Sequence, residues 1–147
     1  MDIRRLSFIN MSGRKVYFSE YRSILIVNVS PSDEEQFKRL QTLYEKFGAR
    51  GFIVVGFPCA QFSEKPFGNR EISEFCRKLG ITFPLSQTVS CKGKCAGLVF
   101  KELSGGKTIK ADFEKFLISK NGTVRRYPSS APFEEIKEDI EKYLERE

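Results

Sequence analysis

The sequence predicts an α/β fold with a central mixed β-sheet and helices on both of its faces. Two apolar runs of strand length, 23–29 and 51–57, are nearly continuous, as expected of buried parallel strands. Between them, apolar residues at helical spacing predict a helix that ends at Gly48, so the three elements form a right-handed βαβ unit. One face of that helix carries Phe37, Leu40, Leu43, Tyr44 and Phe47.

Further elements precede and follow this unit. Apolar residues on either side of Ser12-Gly13 predict a short N-terminal β-hairpin. Helical spacing predicts a second helix over 69–79, and a buried segment follows at 81–85.

The C-terminal part predicts a second hairpin and a final helix. Strand-like residues flank Asn121-Gly122, a pair that favours a type I′ turn because it accepts positive φ angles. Pro132, a favoured first-turn residue, precedes apolar residues at helical spacing. The order of elements, a small hairpin and then strand, helix, strand, helix, hairpin, helix, is that of a thioredoxin-like fold.

The chain length and composition predict one domain, residues 1–147. A chain of this length buries about two thirds of its unfolded surface around one core. Hydrophobic residues make up 40% and charged residues 30%, and no apolar run approaches the roughly 20 residues that a membrane span requires. The N-terminal residues lack the apolar core of a secretory signal. We therefore expect a water-soluble intracellular protein, cytoplasmic or organellar and not secreted.

The net charge of +6 is unevenly distributed. Residues 91–126 contain nine Lys/Arg and three acidic residues, whereas residues 127–147 contain three Lys/Arg and seven acidic residues. The basic stretch lacks the interleaved aromatic residues and the motifs of nucleic-acid binding, so we expect no nucleic-acid partner. It instead predicts a solvated face or a surface for an acidic protein partner.

Seven stretches, in matching order and spacing, make the sequence similar to one known family. The most specific reads Gly-Phe-Pro-Cys-Ala-Gln-Phe at 56–62. The sequence resembles the glutathione peroxidases over nearly the whole chain. For active members this resemblance implies thiol-dependent peroxide reduction on a thioredoxin-like fold. The matching stretches are 24–29, 43–47, 51–62, 71–76, 81–85, 113–117 and 121–124.

The resemblance places the family's attacking cysteine or selenocysteine just after the first core strand. The corresponding residues 28–36 contain no cysteine, and the loop is about two residues shorter than the family pattern. A helix N-terminus stabilises a thiolate, but here carboxylates fill that position. We predict that Ser32 caps the helix and that Glu35 reaches back to the Ser32 amide, with Asp33 and Glu34 in the first turn.

The other positions of the family's catalytic tetrad are also changed. The resemblance matches the family's glutamine to Gln61, which is retained. It matches the tryptophan and asparagine donors to Ala111 and Asp112, so a methyl group and an acceptor-only carboxylate replace two hydrogen-bond donors. An acidic Asp112 would also disfavour a neighbouring thiolate.

Four cysteines remain as redox candidates. Cys59 and Cys76 fit buried apolar positions, although the resemblance matches Cys76 to the resolving cysteine of thioredoxin-dependent members. Cys91 and Cys95 flank Lys-Gly-Lys, which favours thiolates and permits either a small-loop disulfide or two free thiols. Zinc ligation by the four cysteines is weakly supported, because the chain has no histidine and only one closely spaced pair. We expect no metal and no cofactor.

The sequence leaves three functions open. The leading hypothesis is a non-catalytic homologue that acts as an interaction or structural subunit through the basic 91–126 region. The alternative is a residual or repurposed thiol-dependent peroxidase or redox protein, active in oxidative stress and using Cys59 or the Cys91/Cys95 pair. The third is a sensor in which that pair controls partner binding. The short loop 104–110 resembles that of monomeric family members, so a family-type tetramer is not expected.

Overall fold

The computed structural model describes residues 3–89 and 97–145 of the 147-residue chain. This part of the chain contains six strands and four α-helices, with a β-hairpin at its start. In chain order they are β1 (Ser7–Ile9), β2 (Lys15–Tyr17), β3 (Ser23–Val29), α1 (Glu34–Phe47), β4 (Phe52–Pro58), α2 (Asn69–Leu79), α3 (Leu98–Ser104), β5 (Lys115–Ile118), β6 (Val124–Tyr127) and α4 (Phe133–Glu145).

The central sheet is mixed and has the strand order β4-β3-β5-β6. β3 pairs in parallel with β4 and antiparallel with β5, which pairs antiparallel with β6. Every residue of β3 and β4 is buried, so both faces of these strands are covered. The predicted α/β fold, with a mixed sheet between helices and an N-terminal hairpin, is confirmed.

Alternate residues of β3 enter two separate cores. Leu25 and Val27 pack on the face covered by α1, α2 and α4. Ile24 and Ile26 pack on the other face, against the N-terminal hairpin and α3.

The segment 84–89 joins the N-terminal hairpin to the central sheet. On one side the Gln87 amide donates to the Ile9 carbonyl at 3.0 Å. On the other side the Ser86 amide donates to the Gly56 carbonyl at 2.8 Å. A Cβ at position 56 would lie 2.6 Å from Leu85 Cδ2, so any residue other than glycine would require the buried Leu85 side chain to move.

Two local predictions differ from the structure. The sequence analysis did not predict a helix at 98–104, where the structure has α3. The predicted type I′ turn is wrong: Gly122 has φ 89°, but Phe113 is the only non-glycine residue with positive φ in the described ranges, so Asn121 does not meet the requirement. The hairpin instead closes through a hydrogen bond of 2.9 Å from the Ser119 amide to the Thr123 carbonyl.

None of the helices in residues 3–89 and 97–145 has the length and apolar character needed to cross a bilayer.

Candidate functional site

The candidate site lies at the carboxyl end of β3, where three parts of the chain meet. The Cys59 amide donates to the Val29 carbonyl at 2.9 Å, which holds the end of β4 beside β3. The Asn28 side-chain amide donates to the Ala111 carbonyl at 2.9 Å, and the Phe113 amide donates to the Asn28 carbonyl at 2.7 Å. The structure therefore brings the helix start, the Cys59 segment and the Ala111–Phe113 segment together at the carboxyl end of β3.

A cluster of two hydroxyls and one carboxylate lies at this end of β3. Ser30 Oγ donates to Asp112 Oδ2 at 2.8 Å and lies 2.7 Å from Ser32 Oγ. The other carboxylate oxygen, Asp112 Oδ1, is buried and has no hydrogen-bond partner. Burial raises the pKa of Asp112, and the hydrogen bond from Ser30 opposes that rise. The hydrogen bond from Ser30 thus offsets only part of the cost of burying the ionised carboxylate.

The predicted capping box at the start of α1 is wrong in its residues. Asp33, not Ser32, is the N-cap, because its side chain accepts from the Gln36 amide at 3.2 Å. Glu35 does not reach back to Ser32; its carboxylate lies 2.9 Å from Arg39 Nε, one turn further along. The hydroxyl of Ser32 is engaged with Ser30, and the cap lies one residue further along, at Asp33.

Phe113 takes a backbone conformation that is unusual for a bulky residue. Its φ is 65°, in the left-handed region that favours glycine. Its ring is buried and packs edge-to-face on Phe37, with ring centroids 5.5 Å apart. The strain at Phe113 accompanies the turn that presents Ala111 and Asp112 to the end of β3.

Lys115 is a site residue that the sequence analysis missed. Its side chain is fully buried, donates from Nζ to the Phe113 carbonyl at 2.8 Å and lies 5.0 Å from the centre of the Phe133 ring. Burial lowers the pKa of Lys115 to about 8, although the charge of Asp33 favours the protonated form. The only sequence signal was a lysine directly before the apolar run Phe116-Leu117-Ile118.

The two described cysteines are buried. Cys59 is 0% exposed, and its Sγ donates to Gln61 Oε1 at 3.2 Å, so the structure places the retained glutamine beside this thiol. Cys76 is 4% exposed, and burial raises its pKa to about 12, which keeps it a neutral thiol near pH 7. The predictions for Cys91 and Cys95 concern positions outside the described residues.

The chemistry available at the helix start follows from these contacts. A hydroxyl and a carboxylate can accept, donate and hold a proton there, but no cysteine occurs before residue 59. Within residues 3–89 and 97–145, no group of three or more His, Cys, Asp or Glu side chains is placed to hold a metal ion.

Solved structures place this architecture in the thioredoxin-like class. The crystal structure of Trgpx in apo form has a TM-score of 0.80 and 25% identity, covering 99% of this chain and 97% of that one. The MTB dsbF structure, in mixed oxidised and reduced forms, has a TM-score of 0.72 at 10% identity, covering 97% of this chain and 98% of that one, which shows a shared fold. The predicted thioredoxin-like fold is confirmed.

Sequence relatives then define the family. A model described as glutathione peroxidase matches residues 3–104. A hydroperoxy fatty acid reductase of Synechocystis sp. is 42% identical over 142 aligned positions, covering 85% of this chain and 84% of that protein. A glutathione peroxidase of Lactococcus lactis is 36% identical over 158 positions, covering 98% and 100%. The chain belongs to the glutathione peroxidase family.

Proposed function

We propose that this chain is a non-catalytic member of its family that acts as an interaction or structural subunit. The observation that carries this proposal is the cluster of Ser30, Ser32 and Asp112 at the start of α1, where the resemblance places the attacking thiol. The carboxylate of Asp112 and the acidic residues Asp33 and Glu34 would raise the pKa of any thiol introduced there.

The described cysteines support the same proposal. Peroxide reduction needs an accessible thiolate, because the thiolate is the nucleophile. Cys76 is buried and its pKa is raised to about 12. Cys59 is 0% exposed, so its sulfur is not accessible to a peroxide in this conformation.

A second candidate is a thiol-dependent peroxidase or redox protein that acts in oxidative stress. The names of the relatives support this candidate better than the first, since they are reductases and peroxidases. The specific observation in its favour is the 3.2 Å contact between the Cys59 sulfur and Gln61. In this chemistry a cysteine thiolate attacks a peroxide oxygen, the O–O bond breaks, and the leaving oxygen takes up a proton and departs as alcohol or water. Two thiols of the reductant then convert the sulfenic acid back to the thiol, with release of water, and are themselves oxidised to a disulfide. Cys59 or the Cys91/Cys95 pair would supply the thiolate.

Peroxide turnover by the purified chain separates the two candidates. The assay supplies hydrogen peroxide or a fatty acid hydroperoxide with thioredoxin or glutathione, and the Lactococcus lactis relative is the positive control. We expect no turnover above the rate without protein. Enzyme-like turnover would overturn the non-catalytic proposal, and loss of that turnover in Cys59→Ser or Cys91→Ser, but not in Cys76→Ser, would identify the reacting thiol.

The proposal takes residues 1–147 as one intracellular domain that does not form the family-type tetramer. The short connection between α3 and β5 supports this oligomeric assignment. Sedimentation of the purified chain tests it, with a monomer as the expected result in the absence of a partner.

A further inference from the structure

Part of the positive charge in the basic 91–126 region is paired within the fold. Arg125 contacts Glu135 and Asp139 on α4, with both N···O distances at 2.9 Å. Lys115 is fully buried. The cations of this region that can attract a partner are therefore fewer than the sequence count suggests.

An ion pair between Arg126 and Glu114 builds the wall of a cleft beside the candidate site. Arg126 Nη2 lies 2.7 Å from Glu114 Oε1, and the same guanidinium donates to the carbonyls of Lys107 at 2.5 Å and Thr108 at 3.2 Å. The second carboxylate oxygen of Glu114 accepts from the Lys110 amide at 2.6 Å. This pair holds the backbone of residues 107–110 along the cleft, and its two charges offset each other.

The cleft has a volume of about 590 Å³. Besides the ion pair, its lining consists of Lys107, Thr108, Lys110, Ala111, Pro128 and Ser129. Lys107 and Lys110 are exposed and form no ion pair with any residue of the described ranges. The unpaired charges of the cleft are therefore two ammonium groups, and the residues between them are small or apolar.

We propose that this cleft binds an acidic peptide segment of a partner protein, an inference that rests on the proposed interaction function. The charge complementarity comes from Lys107 and Lys110, which would each contact a carboxylate. An ammonium group acts as a point charge and does not impose the planar two-pronged geometry of arginine, so side-chain carboxylates along a flexible peptide suit it. The volume accommodates a few residues, and the rigid wall lowers the entropic cost of binding.

Binding of a fluorescently labelled hexaglutamate peptide tests the proposal. Anisotropy titrations compare the full chain with the Lys107→Gln/Lys110→Gln double variant, for which we expect affinity to fall about tenfold. The matched control is Lys38→Gln/Lys142→Gln, which removes the same charge from two exposed lysines outside the cleft. Its affinity should stay within about twofold of the unmodified chain.

Three results would overturn the proposal. Equal weakening in the two double variants would show diffuse attraction to a basic protein, and an absence of hexaglutamate binding by the unmodified chain would show no site. Binding of citrate at the same lysines, at least as tight as that of the peptide, would show a small-anion site instead. Peroxide turnover combined with cleft-dependent peptide binding would refute the non-catalytic assignment and leave the cleft proposal intact.

Discussion

Ser30 and Asp112, 82 positions apart in the sequence, share a hydrogen bond of 2.8 Å at the carboxyl end of β3. This bond satisfies one carboxylate oxygen, while the other, Oδ1, is buried without a partner. Because burial raises the pKa of Asp112, the folded protein binds a proton at this position more tightly than the unfolded chain does. The ionised form is consequently a source of instability at neutral pH.

Replacing Asp112 with asparagine should stabilise the protein at pH 7. The amide keeps an acceptor for Ser30 and removes the partly buried charge, for a gain of roughly 0.5–1.5 kcal/mol in the free energy of unfolding after solvent screening. The gain should disappear as the pH falls toward about 3, where the carboxyl group of the unmodified protein is protonated in both states. Urea denaturation across this pH range measures it, with the exposed Glu138→Gln as a control of equal charge change.

The start of α1 should depend on Asp33 and not on Ser32. Asp33→Ala removes the side chain that accepts from the Gln36 amide and should lower the free energy of unfolding by about 1 kcal/mol. Ser32→Ala removes only the contact with Ser30 and should cost less than about 0.5 kcal/mol. Thermal or urea denaturation of the two variants distinguishes the caps, and a larger effect at Ser32 would contradict the assignment.

Lys115 should make stability depend on pH above neutrality. Its pKa is about 8 in the folded protein, against a usual 10.5. Between these values the unfolded chain holds a proton that the folded protein has released, so stability rises with pH, by up to about 3 kcal/mol in total. Lys115→Met removes this gain, so the stability difference between the two proteins should change only above about pH 8. The exposed Lys38→Met is the matched control for the loss of one lysine charge.

The Arg126–Glu114 pair should be strongly coupled. Arg126→Met leaves the carboxylate of Glu114 buried without its cation and should cost about 2–4 kcal/mol. Adding Glu114→Gln to that variant should recover part of the loss, because the amide still accepts from the Lys110 amide without a buried charge. A double-mutant cycle by urea denaturation should give a coupling above about 1 kcal/mol, whereas additive losses would show that the pair is not coupled.

The predictable parts of the structure are those with a strong apolar period. β3 and α2 occupy the predicted residues, 23–29 and 69–79, because buried apolar positions determine both elements. α3 was missed because a helix of seven residues offers fewer than two full turns of pattern. Fold class therefore followed from the sequence almost completely.

The site was less predictable because its geometry depends on contacts between distant residues. Ser32 and Asp33 both favour helix caps, and the choice between them follows from the hydroxyl cluster that Asp112 organises. Lys115 lies 5.0 Å from the ring of Phe133, which belongs to another element. The local sequence around Ser32 and around Lys115 predicts neither of these contacts.

The segment 84–89, which joins the N-terminal hairpin to the central sheet, also determines when that hairpin can dock during synthesis. A nascent chain that stops before it already contains β3, α1 and β4, yet it lacks the backbone groups that join Ile9 to Gly56. Until the ribosome has passed this segment, the apolar surface around Phe8 and Phe18 has an incomplete partner. The first hairpin to be translated can therefore dock fully only after residues 84–89 have been made.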